Sequence, residues 1–202
     1  MNQICTRCIN DSSIPGIEFN KDGVCNHCMV HDLLCETFPL GVKGSKILDS
    51  QLKKIKENGQ NKKYNCIIGI SGGRDSTYTL LLAKKKWGLR PLAVHFNDGF
   101  GNPIAGENMK KATKILKVDT ITMSSDWRES KDIRLAFLQA STPDINQATD
   151  LGIAATLYAA AVKYNVKSVI IGQSFRTEGI APLEWNFLDG KYLKSVHKRF
   201  GK

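Results

Sequence analysis

The sequence predicts an α/β fold with a parallel sheet, preceded by a small cysteine-containing segment. From residue 64 onward, short apolar runs alternate with helical patterns, which is typical of a parallel sheet covered on both faces. The first apolar run ends in a glycine turn at Ser71–Gly73, and two Cys-x-x-Cys pairs lie near the N-terminus. We therefore divide the chain into a knuckle at 1–35, a linker with a docking helix at 36–63, and an α/β domain at 64–202.

The spacing of apolar residues predicts the individual elements. Four strands are expected, at Cys66–Ile70, Leu92–Phe96, Val118–Met123 and Ser168–Gly172. Helices are expected from a cap at Ser45 to a stop at Gly59, and at Thr77–Trp87, 104–117, from 125 or 126 to Pro143, and Asp150–Tyr164. The last helix is rich in alanine and leucine, so it should be largely buried. An Asp-Gly pair at 189–190 predicts a hairpin.

Polar segments follow the ends of the predicted strands. Ligands of parallel sheets bind in the crevice beyond the carboxyl ends of the strands. We therefore expect one crevice to be lined by the segments Ser71–Ser76, Asn97–Gly101, Ser124–Trp127 and Gln173–Glu178.

The composition is typical of a globular protein without a membrane span. Of 202 residues, 42% are hydrophobic and 24% charged, and no run of about 18 apolar residues is present. The N-terminus has neither a basic start nor an apolar core, so we predict no signal peptide and a cytoplasmic location. The net charge of +10 comes mainly from lysines on helical patterns. It suits nucleic acid, an anionic ligand such as ATP or a sugar nucleotide, or an acidic partner protein, but does not select one.

Four cysteines have the spacing of a metal site. Cys5 and Cys8 form one pair, Cys25 and Cys28 another, and two such turns can complete a tetrahedron of thiolates. In a reducing compartment this pattern indicates structural zinc rather than disulfides. Replacement of one cysteine ligand by a nearby histidine, at 27 or 31, stays open. The remaining cysteines, at 35 and 66, have no partner at metal spacing and are expected to act as small apolar residues.

The segment Ile67–Ser76 predicts an anion site. An apolar strand, a Ser-Gly-Gly turn and a helix N-terminus bring free backbone N–H groups to one point. The Gly-Lys-Ser/Thr ending of a Walker A loop is absent. The pattern Ser-Gly-Gly-x-Asp-Ser instead resembles the pyrophosphate (PP) loop of the ATP pyrophosphatases, which split ATP between its α- and β-phosphates. A tight strand-to-helix turn without a ligand is the alternative.

The wider set of motifs resembles the N-acetyl sugar amidotransferases of bacterial lipopolysaccharide O-antigen and surface-glycan biosynthesis. The matching segments span nearly the whole chain and are Asp22–Cys28, Ser71–Ser76, Asp126-Trp127, Thr149-Asp150, Gly172–Gly179, Trp185 and Ser195–Gly201. The resemblance implies a Rossmann-like PP-loop domain that uses ATP and Mg²⁺. It further implies that the acetamido group of a nucleotide-linked sugar is adenylated and that ammonia then replaces its oxygen. A separate glutaminase, with a cyclase-like companion as in histidine biosynthesis, would supply the ammonia.

The resemblance also suggests roles for individual residues. The catalytic candidates are Ser71, Asp75, Arg176 and Glu178, of which Asp75 would orient the loop or hold Mg²⁺. The residues expected to bind ATP are Ser71, Gly72, Gly73, Arg74, Asp75, Ser76, His95, Phe96, Asn97, Gly172 and Gln173. For Arg74, a solvent-facing position is the alternative. Asp126 and Asp150 could instead be helix caps, and packing is the expected role of the tryptophans at 127 and 185.

Two other functions are compatible with the same motifs. A tRNA-modifying thiolation enzyme would also combine zinc, a PP-loop and basic charge. No further cysteine pair for sulfur transfer is present and few arginines are clustered, so we do not expect thiolation or a nucleic-acid partner. A non-catalytic nucleotide-binding zinc protein is the third interpretation. Members of the family that this chain resembles continue beyond the position of residue 202 and PP-loop sheets commonly have five strands. The chain could therefore be a fragment, a truncated gene product or a domain completed by another chain, and the missing part could contribute to sugar recognition. A homo-oligomer is left open.

Overall fold

The computed structural model describes residues 2–182 and 188–202, which form two compact units. The first unit comprises Met1–Asp49 and Ser174–Phe187, and the second comprises Ser50–Gln173 and Leu188–Lys202. Trp185, for which packing was expected, lies outside the described residues. Within the described ranges, no helix is both long and apolar enough to span a membrane.

The first unit, which we call the cysteine unit, is built from turns and short helices. Isolated antiparallel bridges join Ile4 to Asp11 and Phe19 to Cys25. Helix α1, at Asn26–Thr37, begins directly after Cys25 and contains Cys28, so the second cysteine pair lies at a helix N-terminus, where the sequence had indicated only a tight turn. Helix α2, at Gly41–Asn58, belongs to both units, and the short helix α7 lies at Phe175–Glu178.

Helix α2 begins before the predicted cap at Ser45. Gly41 has a φ of 69°, which only glycine adopts readily, and it opens the first turn. A Cβ on Gly44 would lie 1.9 Å from the carbonyl oxygen of Pro39, so this glycine lets the preceding chain approach the helix. The two glycines therefore shape the start of the helix and do not mark a loop.

The second unit, which we call the sheet unit, contains four parallel strands in the order β3-β2-β1-β4. The strands are β1 at Cys66–Gly69, β2 at Pro91–Asn97, β3 at Thr120–Ser124 and β4 at Val169–Ile170. The prediction of a parallel α/β sheet is confirmed. The two central strands, β1 and β2, each pair with a neighbour on both sides and contain most of their residues in buried positions, whereas the edge strands β3 and β4 contain no buried residue.

Helices cover both faces of the sheet. They are α3 at Arg74–Leu81, extended by a π-helical turn at Leu82–Lys86, α4 at Pro103–Leu116, α5 at Trp127–Gln139, α6 at Gln147–Lys163 and α8 at Gly190–Phe200. Successive strand residues point to opposite faces. Ile68 accordingly packs in one apolar cluster with Leu80, and Ile67 in another with Leu157.

Two predictions about the helices were wrong. The Asp-Gly pair does not form a hairpin, because Asp189 caps α8 and its Oδ1 accepts a hydrogen bond of 2.9 Å from the N–H of Lys191. Helix α6 is not largely buried, since Tyr158 and Val162 are 68% and 82% exposed. Alanine-rich composition shows that a helix can be buried, but only its neighbours decide which faces are covered.

Candidate functional site

The Ser71–Ser76 loop joins the carboxyl end of β1 to helix α3. Gly72 has a φ of 77°, and a Cβ there would lie 1.9 Å from the carbonyl oxygen of Ala105. Both observations require glycine at this position. Gly73 is the N-cap of α3 and has an extended backbone. The loop thus leads the chain sharply from the strand into a helix whose first N–H groups have no partner within the helix.

Hydrogen bonds inside the loop hold its two serines together. The hydroxyl oxygens of Ser71 and Ser76 lie 3.1 Å apart, and the N–H of Ser71 donates to Ser76 Oγ at 3.2 Å. The N–H of Gly73 donates to Ser71 Oγ at 3.3 Å. The loop is therefore preorganised, with hydroxyl and amide donors at the positive end of the α3 helix dipole.

A cavity of about 610 Å³ opens beside this loop, entirely within the sheet unit. Its volume lies in the usual range for small-molecule sites. Nine of the residues predicted to bind ATP line it, namely Ser71, Gly73, Arg74, Asp75, Ser76, His95, Phe96, Gly172 and Gln173. Gly72 and Asn97 are not among the lining residues. Helix α6 contributes an apolar wall that includes Leu157 and Tyr158. The sequence analysis did not predict these residues at a site, because an alanine- and leucine-rich helix indicates only burial.

His95 and Gly172 have specific roles in shaping this cavity. His95 Nδ1 lies 2.9 Å from the carbonyl oxygen of Ile70, which can only accept, so Nδ1 carries a proton in this contact. In the neutral ring Nε2 is then an acceptor. A Cβ on Gly172 would lie 3.0 Å from the backbone nitrogen of Ser76, so this glycine allows the end of β4 to approach the loop closely.

Asp126 and Asp150, for which helix capping was the alternative role, occupy different kinds of position. Asp126 caps α5, because its Oδ1 accepts the N–H groups of Arg128 at 2.8 Å and Glu129 at 3.1 Å. Asp150 is not the N-cap of α6; it lies in the first turn and lines the cavity. Partial burial raises the pKa of Asp150, and the nearby charge of Asp144 raises it further.

The expected single crevice consists of two cavities in the sheet unit. The Asn97–Gly101 and Ser124–Trp127 segments contribute Asp98, Phe100 and Ser125 to a second cavity of about 170 Å³. Arg134 also lines this cavity, and the sequence patterns did not single it out, because it looks like any polar residue on an amphipathic helix.

Two catalytic candidates, Arg176 and Glu178, belong to the cysteine unit and lie in α7. Arg176 binds the C-terminal end of α1. Its Nη2 donates to the carbonyl oxygens of Cys35 at 3.3 Å and Phe38 at 2.8 Å, and its Nη1 lies 3.0 Å from Cys35 Sγ. These contacts give Arg176 a structural role in its own unit, and contact of either residue with a ligand stays a prediction.

The four predicted metal ligands come together in the cysteine unit. The sulfur atoms of Cys5, Cys8, Cys25 and Cys28 all lie within 4.8 Å of one another. Burial opposes ionisation of Cys5, but hydrogen bonds from the N–H groups of Arg7 and Cys25 to its sulfur outweigh it and lower its pKa to about 6. Such N–H donors stabilise the thiolate that a metal requires.

The neighbouring histidines are not part of this sulfur cluster. His31 Nδ1 lies 3.7 Å from the sulfur of Cys35, and His27 Nε2 is buried without a hydrogen-bond partner among the residues that the structure describes. Four thiols in mutual reach, with no fifth ligand among the described residues, fit a closed tetrahedral structural site for zinc.

Comparison with known proteins identifies a partial relative. No family model matches the chain. An uncharacterized protein of Methanocaldococcus jannaschii is 31% identical over 127 residues, which are 62% of this chain and 44% of that protein. The chain therefore spans less than half the length of this relative.

Several solved structures show a limited likeness. An NH3-dependent NAD synthetase from Campylobacter jejuni has a TM-score of 0.48 and 17% identity, over 77% of this chain and 72% of that one. An NMN synthetase from Francisella tularensis has a TM-score of 0.43 and 20% identity, over 59% of this chain and 50% of that one. A predicted subunit of tRNA methyltransferase from M. jannaschii has a TM-score of 0.40 and 17% identity, over 66% of this chain and 62% of that one. Because all three TM-scores are below 0.5, we assign the fold class from the observed sheet and cysteine cluster and not from these structures.

Proposed function

We propose that the chain binds ATP in the 610 Å³ cavity and adenylates the acetamido oxygen of a nucleotide-linked N-acetyl sugar, which ammonia then replaces. The observation that carries the proposal is the Ser71–Ser76 loop. It places a preorganised set of hydroxyl and amide donors at a helix N-terminus, on the wall of a ligand-sized cavity beyond the strand ends. The motif resemblance names the substrate class and its place in surface-glycan biosynthesis.

The residues around the cavity suit the two stages of this reaction. An amide oxygen is a poor leaving group, and transfer of AMP makes it a good one while pyrophosphate departs. Ser71, Gly73 and Ser76 would hold the β- and γ-phosphates, and Asp75 would hold Mg²⁺ between them. When ammonia adds to the activated carbon, positive charge develops on nitrogen. Asp150 lines the same cavity, and its carboxylate would stabilise that charge.

The proposed partners follow from the same chemistry. Free ammonia is scarce at neutral pH, so a glutaminase with a cyclase-like subunit, resembling those of histidine biosynthesis, would deliver it. Zinc on the four cysteines would be structural, because a site with four sulfur ligands has no open position. A cytoplasmic location, where ATP and nucleotide-linked sugars are available, belongs to this proposal.

The test is the identity of the products. Purified protein with ATP, Mg²⁺, ammonium chloride and a UDP-linked N-acetyl sugar should form AMP and pyrophosphate. Asp75→Asn and Ser71→Ala should each lower the rate at least about 100-fold, as loss of a charge-stabilising group in an active site does, and leave the zinc content unchanged. The matched controls Asp49→Asn and Ser45→Ala, on the exposed side of α2, should keep the rate. Formation of ADP in place of AMP would contradict the mechanism.

A further inference from the structure

The cavity of about 170 Å³, which we call the Arg134 cavity, lies next to the cavity of about 610 Å³ in the sheet unit. We call the larger one the ATP cavity, after its proposed ligand. Phe96, near the end of β2, lines both. Its ring packs on helix α6, because a Cβ on Gly152 would lie only 2.4 Å from the ring carbons. Phe96 is therefore a shared wall, and a ligand in one cavity is within one side chain of a ligand in the other.

Arg134 is held rigidly at this cavity. Its Nη2 donates to Asp98 Oδ2 at 3.1 Å and to Thr149 Oγ1 at 2.9 Å, and the Thr149 hydroxyl donates to Asp98 Oδ2 at 2.7 Å. The guanidinium carbon lies 3.8 Å from the centre of the Phe100 ring. The side chains of Arg134 and Asp98 are only 20% and 15% exposed. Removing these two charged side chains from water costs free energy, which their ion pair and hydrogen bonds offset. The result is a planar guanidinium group with a fixed orientation.

Part of the hydrogen-bonding capacity of Arg134 remains unused. Among the residues that the structure describes, no acceptor contacts its Nε or Nη1. The hydroxyls of Ser125 and Ser130, which also line the cavity, lie 2.6 Å apart and can donate to or accept from a ligand. Phe96 and Ile133 add apolar wall. The cavity thus combines several polar groups with apolar surface.

The charges disfavour an anion as the occupant. Asp98 neutralises Arg134, and Glu129, which also lines the cavity, adds a negative charge. A phosphate would therefore meet no net positive charge here, in contrast to the helix N-terminus of the ATP cavity. At about 30 Å³ per water molecule, 170 Å³ corresponds to about six waters, which is room for one small ring. A neutral ring with hydroxyl and amide groups matches both the charge and the size.

We propose that the Arg134 cavity binds the sugar ring of the acceptor, with Arg134 donating to its oxygen atoms. This inference rests on the proposed function and adds where the substrate lies. The acetamido oxygen must reach the α-phosphate of ATP, and the two cavities are neighbours that share Phe96 as a lining residue. Arg134, Asp98 and Thr149 are then substrate-recognition residues that the motif resemblance does not assign.

Two variants test this placement in different ways. Ala148→Phe fills the cavity from α6, and the double variant Arg134→Gln with Asp98→Asn removes the charge pair but keeps hydrogen-bonding side chains. Calorimetry would measure binding of UDP-N-acetylglucosamine, UDP-N-acetylgalactosamine, UDP alone and α,β-methylene-ATP. Both variants should lose at least tenfold in affinity for the better of the two sugar probes. Their affinities for UDP and α,β-methylene-ATP should stay within twofold of the parent protein.

The control is the double variant Lys63→Gln with Asp119→Asn, which removes an ion pair ahead of β3 and away from both cavities. It should bind all four probes as the parent does. Parental sugar affinity in both cavity variants, or no sugar binding by the parent protein, would overturn the inference while ATP binding and AMP formation could still stand. Loss of sugar binding in the variants of a protein that forms no AMP would support the sugar site and reject the proposed function.

Discussion

The cysteine unit and the sheet unit are stabilised in different ways. In the described part of the cysteine unit, the buried apolar residues are Cys5, Ile14, Cys25 and Pro182, and large side chains such as Ile9 and Leu40 are 94% and 74% exposed. The sheet unit instead buries an apolar cluster on each face of its central strand. A small unit with so little core generally needs a metal or disulfides. The fold of the cysteine unit should therefore depend on its ligand, and that of the sheet unit on apolar burial.

This difference has a functional consequence. The Ser71–Ser76 loop contains a left-handed glycine pressed against the carbonyl of Ala105. Such a constrained turn persists only when the surrounding structure holds it in place. The buried strand β1 and helix α4 provide this support, so the proposed ATP site belongs to the unit that we expect to stay folded without metal.

The largest expected effect is that of removing zinc from the cysteine unit. Structural zinc contributes about 10 kcal/mol or more to the folding of small zinc domains at neutral pH. Cys25→Ser, or treatment with a strong chelator, should therefore unfold this unit and leave the sheet unit folded. Hydrogen exchange measured by mass spectrometry should show rapid exchange for peptides within 2–37 and continued protection for those within 66–97.

The matched control for this experiment is Cys35→Ser. Cys35 lies in the same unit but outside the sulfur cluster. Its variant should keep the zinc content of the parent and the slow exchange of the cysteine unit. Equal protection of the unit in Cys25→Ser, or loss of protection in β1 together with it, would show that the two units do not differ in this way.

A smaller effect is expected when the loop glycine is changed. Gly72→Ala adds a methyl group 1.9 Å from a carbonyl oxygen at a φ of 77°. Strain of the backbone costs about 1–3 kcal/mol and overpacking about as much, so the free energy of unfolding should fall by about 2–6 kcal/mol. Urea unfolding of the sheet unit measures this, and AMP formation should fall with it.

Gly106→Ala provides the comparison. This glycine lies in α4, and nothing is within 4 Å of a Cβ placed there. Alanine is the better helix former, so the variant should be as stable as the parent or more stable by about 1 kcal/mol. A Gly72→Ala variant that matched it would mean that the loop can relax without cost.

The smallest expected effect is that of Arg74→Gln. The Arg74 side chain is 92% exposed, and its ion pair with Asp75 is equally open to solvent. Exposed pairs contribute little to stability, so we expect AMP formation and the unfolding midpoint to change by no more than about twofold and about 2 °C. A loss comparable to that of Asp75→Asn, in the same AMP assay, would show instead that Arg74 contacts phosphate.

Local patterns were enough for the four strands, the Ser71–Ser76 loop and the sulfur cluster, but not for helices α1, α7 and α8. The apolar runs at Ile67 and Leu92 predicted buried strands because few other structures accommodate consecutive branched side chains between turn residues. The cysteine spacing predicted the sulfur cluster, because each pair needs only one tight turn. The same patterns did not distinguish a hairpin from a helix cap at Asp189, since both begin with an aspartate followed by glycine.

The positions of the strands, the Ser71–Ser76 loop and the four clustered cysteines follow from local sequence, because each is a short segment with its own stereochemical requirements. What distant segments form together depends on the tertiary structure. It divided the expected crevice into two cavities at Phe96, moved Asp150 from a cap to a cavity wall, and joined Arg134 to Asp98 and Thr149. These contacts depend on how helices pack on the sheet, and that packing is not encoded within any one segment of the chain.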